Sequence, residues 1–422
     1  MEAVTFTTWG ALIGLALAIF LIIKKVQPAY SLIIGALVGG LIGGGGLVGT
    51  VNTMVTGSQG MISSVLRIMT SGILAGVLIK TGSAEKISEV IVKKLGQKRA
   101  LAAVSIATMI ICAVGVFVDI SVITVAPIAL AIGQKAGYNK GAVLIAMIGG
   151  GKAGNIISPN PNTISVSEAF NVDLTSLMMK NIIPAILALV VTIIIATLLS
   201  KKKNGIAITD DDLEKSENKK LPNIWAALCG PIVVIVLLAL RPIFGISVDP
   251  LIALPLGGIV CAVATGQAKS LIDYSSFGLS KVIGVSVLLI GTGTIAGIIK
   301  ASSLQTDIIA LLNMMNVPAF ILAPVSGILM AGATASTTAG ATIAAQTFSG
   351  PLMNAGVSAV AAGAMIHAGA TVIDSLPHGS FFHATGGSVN MSISERMKLI
   401  PYEALIGLTS TLAAVAVYLI TG

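Results

Sequence analysis

The sequence predicts an all-α polytopic membrane protein made of two inverted-topology repeats, each with a re-entrant hairpin and a discontinuous helix. Three observations carry this. The chain is 55% hydrophobic and 10% charged, against about 25% charged in a soluble domain, and its mean hydropathy is +0.98. Its Lys and Arg residues gather in short loops between apolar segments. Two carboxylates, Asp119 and Asp374, lie in apolar stretches beside break signals. Carboxylates are costly in hydrocarbon and persist there when they face a cavity with a task.

A spanning helix needs about 20 apolar residues. The candidate spans are 6–23, 29–48, 61–79, 181–200, 222–240, 248–266, 281–299 and 400–420. The first is followed by Lys24-Lys25 and has no basic segment before it. It is expected to be a retained helix with its N-terminus outside, not a cleaved signal. With Lys24-Lys25 inside, the basic loop 80–99 and the pair Lys135 and Lys140 also fall inside. Segment 100–134 then begins and ends on one side, so it is expected to be a re-entrant hairpin, and 319–348 is its counterpart. Stretches 141–178 and 357–391 are too long for one span and each contains a break, so they are expected to be discontinuous helices. Residues 83–97 form an amphipathic stretch suited to the interface. Segment 201–220 mixes Lys with Asp and Glu and is expected to be a solvated cytoplasmic tether between repeats 1–200 and 221–422. On this topology 20 of the 25 basic residues are cytoplasmic. Lys180, Arg241 and Lys300 fall outside, and Arg67 and Lys152 lie within the membrane.

The halves resemble each other at an offset near 219. Leu74-Ala75-Gly76 corresponds to Ile295-Ala296-Gly297, Gly137 to Gly356, Gly150 to Gly369, and Asn155 to Asp374. Inverted repeats whose broken helices meet at the midplane are the signature of a secondary transporter.

Composition and motifs narrow the function. The net charge of +8 is spread between apolar segments rather than along one basic face, which argues against nucleic-acid binding. Cys112, Cys229 and Cys261 stand singly, with no disulfide or metal-type spacing. His367, His378 and His383 match no metal motif, and no catalytic motif is present, so neither a metal site nor an enzyme is expected.

The chemistry concentrates at the breaks. Half-helix ends expose free N–H groups and a positive dipole end, a ready anion site. The first break offers Asn155, Ser158, Asn160, Asn162 and Thr163, with Lys152 just before it. The second hairpin offers Ser336, Thr337 and Thr338, and the second break Ser375 and His378. These are the expected substrate-binding residues. Short hydroxyls and amides bind a carboxylate without fixed charge, but their oxygens could equally ligate Na⁺, or simply hold helices together. Asp119 and Asp374 are the expected ion-coupling residues, as proton carriers or cation ligands. For Asp119 a structural pair with Lys152 is the competing reading.

From about residue 60 to the end, the chain resembles the gluconate permease (gluconate:proton symporter) family of the ion transporter superfamily. The resemblance rests on Ala126-Pro127-Ile128-Ala129 followed by Lys135-Ala136-Gly137, and on Ser158-Pro159-Asn160-Pro161-Asn162-Thr163. It rests also on Ala335-Ser336-Thr337-Thr338-Ala339, and on Asp374-Ser375 followed by the aromatic Phe381. It implies proton symport of small hydroxy-acid anions by a homodimer in the bacterial inner membrane, with a scaffold and an elevator-type transport domain. The first break is Asn-rich and lacks the His of gluconate-type members, and Thr371, Val372 and Ile373 stand where those carry His. A smaller or less hydroxylated carboxylate is therefore expected.

The resulting expectation is a secondary active importer of a small organic carboxylate, coupled to protons and needing no cofactor. The alternatives are Na⁺ coupling, or cation/proton antiport without an organic substrate.

Overall fold

The computed structural model describes residues 5–96, 99–202, 205–213, 220–246, 248–315 and 317–421. Among them all regular structure is helical, apart from isolated bridges pairing Phe6 with Ser302 and Asn139 with Ala207.

The first half comprises α1 (Thr8–Ile23), α2 (Pro28–Ile42), α3 (Gly46–Gln59), α4 (Ile62–Lys80), α5 (Ser83–Leu95), α6 (Ala100–Ala113), α7 (Val118–Lys135), α8 (Lys140–Asn155), α9 (Pro161–Ala169), α10 (Leu174–Lys180) and α11 (Ile182–Ser200). The second half comprises α12 (Ile224–Phe244), α13 (Pro250–Ala264), α14 (Leu271–Lys300), α15 (Leu304–Met314), α16 (Leu322–Thr334), α17 (Thr337–Asn354), α18 (Ala359–Gly369), α19 (Ser380–Gly387), α20 (Ile393–Met397) and α21 (Ile400–Thr421). Among the described residues α4, α7, α11, α12, α14 and α21 carry segments long and apolar enough to cross a membrane.

Helices recur at a constant spacing. The first residues of α7 and α17, of α8 and α18, of α9 and α19, and of α10 and α20 are each 219 positions apart. The packing recurs with them. Gly150 of α8 lies against the Ser105 carbonyl of α6, and Gly369 of α18 lies against the Pro324 carbonyl of α16, again 219 apart. A Cβ at either glycine would drive into that carbonyl oxygen. This close approach lets α8 and α18 sit deep between their neighbours.

The 100–134 segment is the helix pair α6–α7, and 319–348 covers a short 3-10 turn, Ala319–Ile321, and most of the pair α16–α17. Both turns use left-handed backbone, at Gly115 (φ 109°) and Ala335 (φ 46°). The latter is uncommon for a residue with a Cβ and stores strain of order 1 kcal/mol. The long stretches break as their sequences suggest. Helix α8 ends at Asn155, and α9 restarts with Pro161 at its first position and Asn160 as cap. Helix α18 ends at Gly369, and ten residues containing Pro377 precede α19.

Three expectations need correction. The 29–48 span stops at Ile42, and a separate helix, α3, follows it. The 281–299 span is the C-terminal part of the 30-residue α14. The tether 201–220 is not simply solvated. Residues 203–204 and 214–219 lie outside the described residues, but Ile208 and Asp212 are buried. Lys140 Nζ lies 2.6 Å from Asp212 Oδ1, and Gln134 donates to Asp210 at 2.8 Å. Burial alone would raise the Asp212 carboxyl. Hydrogen bonds from Lys140 and Thr209 outweigh that and hold it down at about 2.

Candidate functional site

The end of α8, the tip between α16 and α17, and the break after α18 meet at Asp374. Lys152 Nζ lies 2.6 Å from Asp374 Oδ1 and donates to the Thr371 carbonyl at 2.6 Å. Thr337 Oγ1 donates to Asp374 Oδ2 at 2.6 Å, and Ser375 Oγ to Oδ1 at 3.0 Å. Lys152 and Asp374 are each 2% exposed, so both charges depend on this geometry. The break packs on the hairpin tip. Gly379 lies against the Ala335 carbonyl, and a ring nitrogen of the exposed His378 is 3.2 Å from the Ala333 carbonyl.

Helix α17 starts at Thr337 beside this carboxylate. Ser336 Oγ accepts from the Ala339 amide at 3.2 Å, which caps one of the free first-turn N–H groups. Thr338, half-buried, is in the same first turn.

The first break is a closed amide network. Asn160 Oδ1 accepts from the Asn162 and Thr163 amides at 2.9 and 3.1 Å and from the Thr163 hydroxyl at 3.3 Å. Asn160 Nδ2 and Asn162 Nδ2 both donate to Asn155 Oδ1, at 2.5 and 2.9 Å. Ser158 Oγ donates to the Cys112 carbonyl at 2.6 Å and ties the break to the end of α6. Among the described residues Asn155 Nδ2 and Asn162 Oδ1 are buried with no partner.

Of the expected residues, the fold thus joins Lys152, Thr337, Asp374 and Ser375 directly. Asn155, Asn160, Asn162 and Thr163 form the adjoining network, three residues on from Lys152. Asp119 is separate. It sits in the first turn of α7, accepts from the Ile120 amide at 2.9 Å, and forms no ion pair among the described residues. The expected alternative partner of Asp119, Lys152, is taken by Asp374.

Other charged contacts were not expected. Arg67 of α4 grips Asp249 with Nε at 2.9 Å and Nη2 at 2.6 Å, while Nη1 reaches Glu168 of α9 at 2.8 Å. Arg241 of α12 pairs with Asp173, the cap of α10, at 2.6 Å. These groups line one cleft. Arg396 and Glu403 form a fully buried pair, with Thr385 accepting from the guanidinium at 3.1 and 3.3 Å. Only the isolated charge of Arg67 in the sequence hinted at these.

Comparison with known proteins is consistent with this geometry. The family model described as GntP family permease matches residues 6–255. An uncharacterized transporter of Haemophilus influenzae is 54% identical over 414 residues, 98% of each chain. The D-serine transporter DsdX of Escherichia coli K12 is 20% identical over 352 residues, covering 78% of this chain and 79% of its own. Two solved structures share the fold. The YdaH transporter of Alcanivorax borkumensis has TM-score 0.68 at 17% identity, over 96% of this chain and 98% of its own. MtrF of Neisseria gonorrhoeae, of a class of antimetabolite efflux pumps, has TM-score 0.68 at 15% identity, over 96% and 94%.

Proposed function

This chain belongs to the GntP family of permeases, a multi-pass transporter of the bacterial inner membrane and not an enzyme, and from that premise we propose that it imports a small organic carboxylate by proton symport. The observation that carries this reading is the buried Lys152–Asp374 pair, met by the hairpin tip through Thr337. Lys152 offers the substrate carboxylate a cation. Asp374 offers a charge that must be released or neutralised when that anion arrives. The substrate would lie among Lys152, Thr337, Thr338, Ser375, His378 and the amide network of Asn155, Ser158, Asn160, Asn162 and Thr163. Free N–H groups at the start of α17 would supply the anion's remaining hydrogen bonds.

The 219-residue recurrence of α7–α10 in α17–α20 supports reading the halves as repeats. The Lys/Arg asymmetry gives the repeats opposite orientations. Hairpins, broken helices and the docked charges form the moving transport domain of an elevator, and the longer helices form the scaffold of a homodimer. Asp119, at the first hairpin tip, is the second coupling carboxylate.

A second reading of the substrate rests on the same pair. A zwitterionic amino acid would split Lys152 from Asp374, carboxylate to one and ammonium to the other. The similarity to D-serine transporters favours including that class.

Proteoliposome uptake tests both. Labelled glycerate, gluconate, lactate and D-serine are offered under an inward proton gradient, an inward Na⁺ gradient, or none. Accumulation of a hydroxy acid driven by the proton gradient is expected. Accumulation driven by Na⁺ alone would overturn proton symport, and cation exchange without uptake of any of the four would overturn an organic substrate.

A further inference from the structure

Among the described residues the buried ionisable side chains outside the cysteines are Lys140, Lys152, Asp212, Asp374, Arg396, Glu403 and His367. The first six are all ion-paired. His367 is 0% exposed, and neither ring nitrogen has a hydrogen-bond partner among the described residues. An imidazole carries at least one N–H donor and a second polar nitrogen. Burying both without partners costs free energy that a Leu or Phe there would not.

The register shows what lies beside it. Helix α9 leaves the first break where α18 enters the second, because Asn155 lies three residues beyond Lys152, and Lys152 bonds Thr371 and Asp374 just past α18. Gly363 of α18 packs on Val166 and Phe170 of α9. His367 is one turn further on the same face of α18, and Asn162 is one turn from Val166 toward its own break. Both turns thus lie on the break side of the Gly363–Val166 contact. Asn162 Oδ1, Ser165 Oγ, and Thr342 and Thr347 Oγ1 of the packed helix α17 are likewise buried without partners. The packed helices of the α9–α17–α18 seam thus carry a ring with no partner and, among the described residues, four buried oxygens with none.

We infer that His367 is a further carrier of the coupling proton, working with the carboxylates Asp374 and Asp119, an assignment that rests on the proton-symport reading above. Neutral imidazole has one N–H, and imidazolium has two. Taking one proton from water adds the donor that the seam's oxygens lack, and releasing it to water on the other side restores the ring. No other bond changes. The charges around the ring are otherwise committed. On the elements packed against α18, Glu168 is paired with Arg67, Glu403 with Arg396, and Lys180 is bonded to Thr421. Tyr402 and Tyr418 complete the titratable groups of α21, and α16 and α17 have none. The nearest break holds Lys152, one turn away through the Thr371 carbonyl. Lys152 is already neutralised by Asp374, so an arriving anion gives that pair a net negative charge, which favours a proton on His367. Anion and proton therefore favour each other, and that reciprocity is the coupling.

The test uses full-length protein in liposomes with labelled glycerate, gluconate and D-serine. Imidazole ¹⁵N spectra are recorded between about pH 5 and 8, with the His367 signals assigned by loss in H367Q or by retention in an H378Q/H383Q protein. The expected result is a His367 signal that passes from neutral to imidazolium within that range in at least one probe-bound sample. A signal that stays neutral throughout overturns the inference. H367Q should keep exchange of the transported probe and lose accumulation driven by the proton gradient. Retained accumulation in H367Q overturns the inference and leaves symport intact, as does equal loss of exchange and accumulation, which makes the residue structural. Wild-type accumulation indifferent to the proton gradient overturns the symport reading itself.

Discussion

Lys152 and Thr371 hold equivalent places 219 residues apart, and the Lys152 ammonium donates to the Thr371 carbonyl. The two halves are therefore stitched through their own equivalent turns, and Asp374 closes the stitch as an ion pair. The helix of one half supplies the counter-ion for the break of the other.

Removing one partner of this pair leaves a buried charge alone. Lys152→Met and Asp374→Leu should each destabilise the protein by about 3–5 kcal/mol, while the double variant recovers much of that loss. Thermal unfolding of the three purified proteins measures it. None should transport. A double variant no more stable than the singles would mean the two residues act independently.

Asn160 caps α9 and braces Asn155. Asn160→Ala removes the acceptor of two backbone amides and should cost about 1–2 kcal/mol. Asn160→Asp keeps the acceptor and should restore the cap. Equal melting temperatures for wild type and Asn160→Ala would show the cap to be dispensable.

The Arg67–Glu168 and Arg241–Asp173 pairs join α4 and α12 to α9 and α10. In the elevator movement proposed for α9 and α10 they should loosen. Glu168→Gln with Asp173→Asn should speed probe exchange in liposomes, since partly exposed pairs are worth about 0.2–1 kcal/mol each. Slower exchange in that variant would mean the pairs brace the moving state instead of restraining it.

Asp212 makes the docked tether sensitive to acid. Its carboxyl is held below the unfolded value, so the stability it adds is fully present above about pH 4 and lost as pH falls through about 2. Asp212→Asn lacks this dependence. Limited proteolysis of the 201–220 segment across that window should show cleavage rising with acid in the wild type, and cleavage already high in the variant. An acid-stable protease is needed. Identical cleavage in both proteins would mean that Lys140 does not hold the tether.

The long helices at 61–79, 181–200, 222–240 and 400–420 were legible because lipid demands long apolar runs, and those runs stand out against Lys-rich loops. The breaks after Asn155 and Gly369 were legible from the Pro, Gly and Asn residues that interrupt the apolar runs. Helix α3 was not, because its Thr, Asn and Ser residues resemble a loop, and packing against α14 decides its state. The pairing of Lys152 with Asp374 was hidden by a separation of 222 positions. The docking of Asp212 was hidden because a charged segment looks the same whether its partner is water or a buried lysine. His367 was read with two exposed histidines of the same stretch, although only burial separates its chemistry from theirs.

The Lys152–Asp374 pair also bears on the membrane voltage. A single charge crossing the bilayer is worked on by about 2.3 kcal/mol per 100 mV. Bound together, these two residues form a unit of zero net charge. Any displacement that carries both breaks through the bilayer moves the pair without electrical work. The return of the pair after delivery is then indifferent to membrane potential, whichever way the field points.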